Sequence, residues 1–500
     1  MRKKLLFFLL LIIMLLIGCN HNQNNEGMKI EDLKEGVFLD SYEAEDGILQ
    51  GNVKIEKIES GFSGNGYVTG FKEEEDQNII TIQIPEDGFY DFEFILSTIA
   101  GYKENKVFLD NENIGLVALD SEKFDSVFIR HIYIEKGEHV LGIKKFWGWI
   151  HWDKTLVYKS VELPVDFYEV RRTLVNDKAN ENTKRLFSYL CDSYGKSILS
   201  GQYCDTGMSG WEIKAITEET IDKKAPAILG LDFIDYSASR IANGTTPNQT
   251  ELAINYWEKG GIVTFCWHWN APEKYLTSDW WRGFYTDATN IDLEAIFNGN
   301  DPEGYELLMQ DIDGIATELQ VLRDAGVPIL WRPLHEASGG WFWWGDSGKD
   351  VYKELYVLLY DKLTNEYGLN NLIWVWNGQD AEWYPGDEYV DIIGMDIYAD
   401  KHDYTSQINS YLEVKSWSEE SKMVVLSENG VLFDPDLAVR DGAMWGMFCT
   451  WQREFVVSDG IIKKYSEEYT SKEMLKKVYE NDYVITRDEL PDLLKYPINE

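Results

Sequence analysis

Two rhythms of apolar and polar residues divide the chain. Over residues 37–163 they alternate in short runs, such as Ile79-Ile80-Thr81-Ile82-Gln83-Ile84 and Gly88-Phe89-Tyr90-Asp91-Phe92-Glu93-Phe94. Glycines and acidic turns separate the runs. A period of two puts alternate side chains on one face, so this region predicts a small antiparallel β-sandwich. Pro164 ends the pattern, and from residue 166 near-continuous apolar runs alternate with stretches of helical spacing. Eight runs qualify as strands: residues 197–203, 226–233, 261–269, 328–336, 371–378, 389–399, 422–430 and 443–451. Strands apolar on both faces belong between two layers, and helical stretches such as 312–325 and 351–367 separate them. Residues 166–490 therefore predict an α/β fold, a (β/α)8 TIM barrel. An open doubly wound sheet is the alternative, but no GxGxxG or GxxxxGK[ST] follows the first strand.

The N-terminus follows neither rhythm. Arg2, Lys3 and Lys4 precede an apolar run over residues 5–17, which is shorter than the about 20 residues a membrane-spanning helix needs. Residues 1–18 thus read as an export signal. The run ends Leu16-Ile17-Gly18-Cys19, which resembles the lipobox of bacterial lipoproteins. That resemblance implies lipidation of Cys19, a polar tether over residues 19–36, and a chain anchored at a bacterial cell membrane or outer surface.

Charge narrows the partners. Asp and Glu number 86 against 47 Lys and Arg, a net −39 that repels phosphate backbones and makes a nucleic-acid partner improbable. The 19 Trp, 29 Tyr and 22 Phe point instead to sugars, whose C–H faces stack on aromatic rings. The run Trp341-Phe342-Trp343-Trp344 points the same way, since adjacent large rings cannot all face inward from one element. Cys191, Cys204, Cys266 and Cys449 show neither CxxC spacing nor a His partner at zinc-site spacing. They read as buried free thiols, with one disulfide left open.

In a TIM barrel, catalytic side chains project from the C-terminal ends of strands. The fourth run ends Trp331-Arg332-Pro333-Leu334-His335-Glu336, and the seventh ends Leu426-Ser427-Glu428-Asn429-Gly430. Each places one carboxylate after an apolar run and before a glycine-containing loop. Glycosidic cleavage needs such a pair: a carboxylic acid protonates the leaving oxygen, and a carboxylate attacks the anomeric carbon or activates water.

Arg332-Pro333-Leu334-His335-Glu336, followed by Trp341-Phe342-Trp343-Trp344-Gly345, resembles the signature of glycoside hydrolase family 26. The likeness covers residues 166–482 and implies a retaining endo-β-1,4-mannanase that needs no cofactor for catalysis. By position, Glu336 resembles the acid/base and Glu428 the nucleophile. His335, where related families carry Asn, would contact the sugar or the nucleophile; Tyr398 would orient the nucleophile. Trp451 matches the floor under the scissile sugar, Trp341 the ring beside the acid/base, and His268 a third-strand substrate contact. Arg332 reads as a cation keeping Glu428 ionised. Asp232, Asp235 and Trp280 stand between functional and structural readings. Ser338 replaces the family's usual Asn, which puts leaving-group contacts in doubt. A mixed-linkage β-1,3-1,4-glucanase, or a surface glycan-binding lipoprotein without catalysis, are the other readings.

Tyr42-Glu43-Ala44-Glu45-Asp46-Gly47, Gly64-Asn65-Gly66-Tyr67-Val68 and Trp147-Gly148-Trp149 resemble carbohydrate-binding module family 35. This implies a structural Ca²⁺ held by Glu43, Glu45 and Asp153. Trp147 and Trp149 would be sugar platforms, unless they are core tryptophans. The expected partners are β-mannan and, through the lipid, a membrane; the expected state is a monomer.

Overall fold

The alternating half folds into two facing antiparallel sheets. Its strands are β1 (Val37–Glu43), β2 (Ile48–Gln50), β3 (Lys54–Glu56), β4 (Tyr67–Thr69), β5 (Gln77–Ile84), β6 (Gly88–Thr98), β7 (Lys103–Leu109), β8 (Glu112–Leu119), β9 (Asp125–Ile134), β10 (Gly137–Trp147) and β11 (Ile150–Lys159). One sheet runs β3-β4-β11-β6-β9, with β1 also on β11; the other runs β2-β5-β10-β7-β8. The period of two is visible in β5, where Asn78, Ile80, Ile82 and Ile84 face inward. Phe92, Phe94, Leu96, Leu141, Ile143 and Trp152 fill the space between the sheets. The computed structural model describes residues 36–204, 210–460 and 463–499, so the export signal and Cys19 lie outside the described residues.

The second half contains β12 (Ile198–Leu199), β13 (Gly201–Tyr203), β14 (Ile228–Asp232), β15 (Ile262–Trp267), β16 (Ile329–Pro333), β17 (Leu372–Trp376), β18 (Ile392–Ile397), β19 (Met423–Asn429), β20 (Phe448–Thr450) and β21 (Val484–Ile485). Strands β13 to β20 close into a parallel barrel, with β13 pairing both β14 and β20. Each barrel strand falls within one of the eight runs read from the sequence.

The first run differs in one respect: it breaks at Ser200 into two pieces. The β12 piece pairs with β21 outside the barrel, and the Ser200 hydroxyl donates to the Ile485 carbonyl at 2.7 Å. Gly201 resumes the strand where a Cβ would lie 2.4 Å from the Phe448 carbonyl oxygen. The helix read over 312–325 begins at Pro302 and ends at Asp324. Asp301 caps it by accepting from the Gly304 amide, and Pro302 occupies the first turn, where its missing N–H costs nothing. The stretch 351–367 is an α-helix (Lys349–Tyr360) that runs on into a π-helical turn (Asp361–Glu366).

Candidate active site

The acid end of the site begins with backbone held against its preference. β16 ends at Pro333, and then both Leu334 and Glu336 adopt φ of 54°, a left-handed conformation costing on the order of 1–3 kcal/mol each. Neighbours over-determine this turn. The Glu336 amide donates to the Asn377 carbonyl (2.9 Å), the Tyr352 hydroxyl to the Leu334 carbonyl (3.0 Å), and the Trp344 indole to the His335 carbonyl (2.9 Å). The Trp341 indole donates to Glu336 Oε2 at 3.0 Å.

The opposite end is set by a bulge. Pairing between β18 and β19 runs Met395 with Leu426, then Asp396 with Glu428, leaving Ser427 unpaired. The Ser427 hydroxyl donates to Asp396 Oδ1 at 2.7 Å; a Cβ on Gly394 would lie 2.4 Å from that hydroxyl. Glu428 accepts from Arg332 Nη2 at 2.5 Å and from the Tyr398 hydroxyl. The wholly buried Arg332 also donates to Asp396 Oδ2 (2.7 Å) and to the Tyr203 hydroxyl. Oxygens of Glu336, Asp396 and Glu428 lie within 4.8 Å of one another. One guanidinium thus pairs with two of these three acidic side chains.

The electrostatics separate the two glutamates. Burial first, then Asp396 and Glu428, push the Glu336 carboxyl far above the ordinary carboxylate range, against weaker pulls from Arg332 and Trp341. Burial and Asp396 raise Glu428 as well, but less, because Arg332 and the Tyr398 hydrogen bond favour its charged form. Burial disfavours the charge on Arg332, but Asp396, Tyr203 and Glu428 more than offset it. Burial, Glu428 and Asp396 hold the Tyr398 phenol protonated, so it remains a donor. The site therefore offers one protonated carboxylic acid facing one carboxylate, the complement general acid–base chemistry requires.

The other sequence-derived residues gather around this pair. His268, just past β15, turns Nδ1 to Asp232 Oδ2 at 2.6 Å and Nε2 to His335 Nε2 at 3.3 Å. Burial, Arg332 and His268 keep His335 neutral. Trp451 packs on Tyr203 and His268, with ring centroids at 4.8 and 5.8 Å. Asp232, Cys266 and His268 cluster as metal ligands would. The Asp232–His268 hydrogen bond already uses one donor pair, however, and burial raises the Cys266 thiol well above its usual value. In this structure Asp232 and His268 pair with each other, and the Cys266 thiol donates to the Leu231 carbonyl.

Asp235 is a salt-bridge partner of Arg240, at 3.1 Å. The Trp341–Trp344 run does not face inward as a whole, as expected, but most of it does. Only Trp341 is exposed, at 47%, while Phe342, Trp343 and Trp344 are buried. The segment enters a short helix (Trp343–Asp346), which turns both rings inward and gives each indole N–H a backbone carbonyl, Trp269 and His335 respectively.

Asp396 and Tyr203 had no assigned role in the sequence. Asp396 was findable: it is the charged residue within an otherwise apolar strand, and Arg332, Asn377 and Ser427 all donate to it. Tyr203 carries no such signal.

In the module, Glu43, Glu45 and Asp153 converge on the turn at residues 63–65. Ser63 donates its hydroxyl to Glu43 (2.8 Å) and Asp153 (3.1 Å), and Asn65 donates its amide to Glu45 Oε1 (2.5 Å). The other oxygen of Glu45 is buried without a donor among the described residues. Gly64, at φ of 57°, leaves space where a Cβ would lie 2.3 Å from Glu45 Oε1 and 2.9 Å from Glu43 Oε2. An all-oxygen set with an orphaned acceptor is of the ligand type Ca²⁺ takes, though the three carboxylates are not gathered within 4.8 Å of one another. Burial raises Asp153, consistent with a carboxylate short of cationic partners. Trp147 and Trp149 are 57% and 44% exposed, so neither is a core residue; that place belongs to Trp152.

Known proteins resemble this chain in sequence and in fold. Residues 175–489 match Glycosyl hydrolase family 26, and residues 40–159 match Carbohydrate binding module (family 35). A mannan endo-1,4-beta-mannosidase of Thermothelomyces thermophilus is 39% identical over 455 residues, covering 90% of each chain. The crystal structure of a Podospora anserina GH26-CBM35 beta-(1,4)-mannanase superposes with a TM-score of 0.64 at 37% identity, covering 91% of this chain and 99% of that one. A β-mannanase from a symbiotic protist of the termite Reticulitermes speratus, solved with a gluco-manno-oligosaccharide, covers 65% of this chain and 99% of its own at 35% identity and a TM-score of 0.56. With its family match spanning the whole barrel, the chain belongs to glycosyl hydrolase family 26 and carries a family 35 carbohydrate-binding module before it.

Proposed function

We propose that this chain is a retaining endo-β-1,4-mannanase acting on mannan, glucomannan or galactomannan, with Glu336 as acid/base and Glu428 as nucleophile. The observation that carries the reading is the approach of their carboxyl oxygens to within 4.8 Å. One oxygen of each so close to the other suits retention, where the carboxyl groups stand roughly 5–5.5 Å apart, better than inversion, where roughly 6.5–9.5 Å admits a water.

In the first step Glu428 attacks the anomeric carbon while Glu336 passes its proton to the glycosidic oxygen, and the leaving sugar departs. Esterified Glu428 no longer carries charge, so the affinity of Glu336 for its proton falls. Glu336 then takes a proton from water, whose oxygen displaces Glu428 and restores both residues. Arg332 and Tyr398 hold Glu428 by its two oxygens, fixing the attacking lone pair. Trp341, Trp451, His268 and His335 line the sugar's path. Glu43, Glu45 and Asp153 would hold a Ca²⁺ that stiffens the module, and Cys19 would carry a lipid tethering the enzyme to a membrane.

Reducing ends released from mannan, glucomannan, galactomannan and mixed-linkage β-glucan, with NMR of the first-formed anomer, test the reading. Release of β-anomers from the mannans is expected. Activity on β-glucan alone, or initial α-anomers, would overturn it.

A further inference from the structure

The two halves of the molecule are riveted around an unassigned groove of about 1070 Å³. Lys106 of β7 pairs with Asp400, Asn113 of β8 donates to Asp403 (3.0 Å), and the Arg130 amide of β9 donates to Asn409 (2.6 Å). The guanidinium of Arg440 lies 5.4 Å over the Tyr133 ring. The rivets hold module and barrel at a fixed distance without filling the space between them.

At the barrel end the groove is lined by Tyr398, Ala399 and Asp400, the segment that follows β18 at the mouth. At the module end it is lined by Tyr102, Glu104 and Phe146. Tyr102 is 46% exposed and Phe146 42% exposed, and Tyr102 adjoins the exposed Trp147, with ring centroids at 5.9 Å. Such a set of uncovered rings is costly in water and marks a binding surface.

The polar groups specify what it binds. Glu104 and Glu413 line the groove as hydroxyl acceptors, and its cations are already engaged: Lys106 with Asp400 and against the Phe146 ring, Arg130 with Asp91 (3.7 Å) and Arg440 with Asp441 (2.6 Å). Aromatic faces beside carboxylates favour a neutral polyhydroxylated chain and disfavour an anionic one. The volume is at the upper end for ligand pockets, room for several sugar units. Tyr398 belongs to both places: it lines the groove, and its hydroxyl holds Glu428.

We propose that this groove is a glycan-binding extension of the catalytic cleft, in which a single neutral β-linked hexose chain spans from the barrel mouth to the Tyr102–Trp147 platform. The inference rests on the glycosidase reading above. It makes the module part of the row of sugar subsites rather than an anchor that binds elsewhere on the polysaccharide.

The test compares the full chain with its Tyr102→Ala and Phe146→Ala variants on a ladder of soluble manno-oligosaccharides and on insoluble mannan. Both side chains are exposed, and Tyr102→Phe should restore the stacking face. The expected result is unchanged kcat/KM on the shortest substrates and a loss of about fivefold on soluble oligosaccharides long enough to bridge, recovered by Tyr102→Phe. Unchanged kcat/KM along the whole ladder, or a loss confined to insoluble mannan, would overturn the proposal. If the full chain hydrolyses no β-mannan, the function proposed above fails instead. Calorimetric binding of the same ladder to Glu336→Gln and to Glu336→Gln/Tyr102→Ala then decides the groove separately: weaker binding of long oligosaccharides by the double variant supports it, and equal binding refutes it.

Discussion

The barrel mouth and the module's acidic turn each gather three carboxylates, and they neutralise them differently. In the barrel, Arg332 bridges Asp396 and Glu428, and Tyr398, Asn377 and Ser427 donate to those same two carboxylates. In the module no cation reaches Glu43, Glu45 or Asp153 within salt-bridge distance among the described residues, and one buried oxygen of Glu45 has no donor. The module's three are not drawn to within 4.8 Å of one another as the barrel's are, with the Ser63 hydroxyl standing between Glu43 and Asp153. A site that must do chemistry carries its counter-charge in the chain, where it cannot dissociate. On the reading proposed above, the module's turn takes its counter-charge from solution as Ca²⁺.

Substitutions that break the barrel's arrangement should have the largest effects. Glu428→Ala and Glu336→Ala are each expected to lower kcat on mannan by about a hundredfold or more. For Glu336→Ala the loss should shrink on substrates with good leaving groups, a difference visible in steady-state kinetics. Arg332→Met leaves two buried carboxylates unpaired and should cost about 3–5 kcal/mol in denaturant unfolding. It also removes the cation that favours charged Glu428, so the acidic limb of the kcat/KM profile should move to higher pH.

The contrast with the module sharpens under chelation. EDTA should leave kcat on short soluble substrates unchanged while lowering the module's thermal transition, by about 2–3 kcal/mol of stability if Ca²⁺ had been present at about a hundred times its Kd. Glu45→Gln should abolish that response in calorimetry.

The smallest effect carries the opposite sign. Glu336 binds its proton more tightly folded than unfolded, so its contribution to stability is full below the ordinary carboxylate pKa and is lost as pH rises toward its folded value. Glu336→Gln avoids that loss. It should match the parent in Tm near pH 4 and exceed it by about 1–3 °C at neutral pH.

What was readable in the sequence follows from what each feature depends on. The eight barrel strands are apolar on both faces, a property local to each run, so their order and closure could be anticipated. Glu336 and Glu428 stand out for a similar reason, as charges ending such runs. The break at Ser200 could not be seen, because its partner Ile485 lies far along the chain. Which rings of the Trp341–Trp344 run turn inward depends on a single short helical turn, too brief for periodicity to show. The rivets between the halves join isolated polar residues, such as Lys106 and Asp400, that no periodicity singles out.

The hydrogen bond from the Trp341 indole to Glu336 has an optical consequence. Indole emission responds to charge beside the ring, so ionisation of this carboxyl should shift Trp341 fluorescence. A difference spectrum between the chain and its Trp341→Phe variant, followed across pH, would read out the acid's protonation without any substrate. The enzyme carries its own titration indicator.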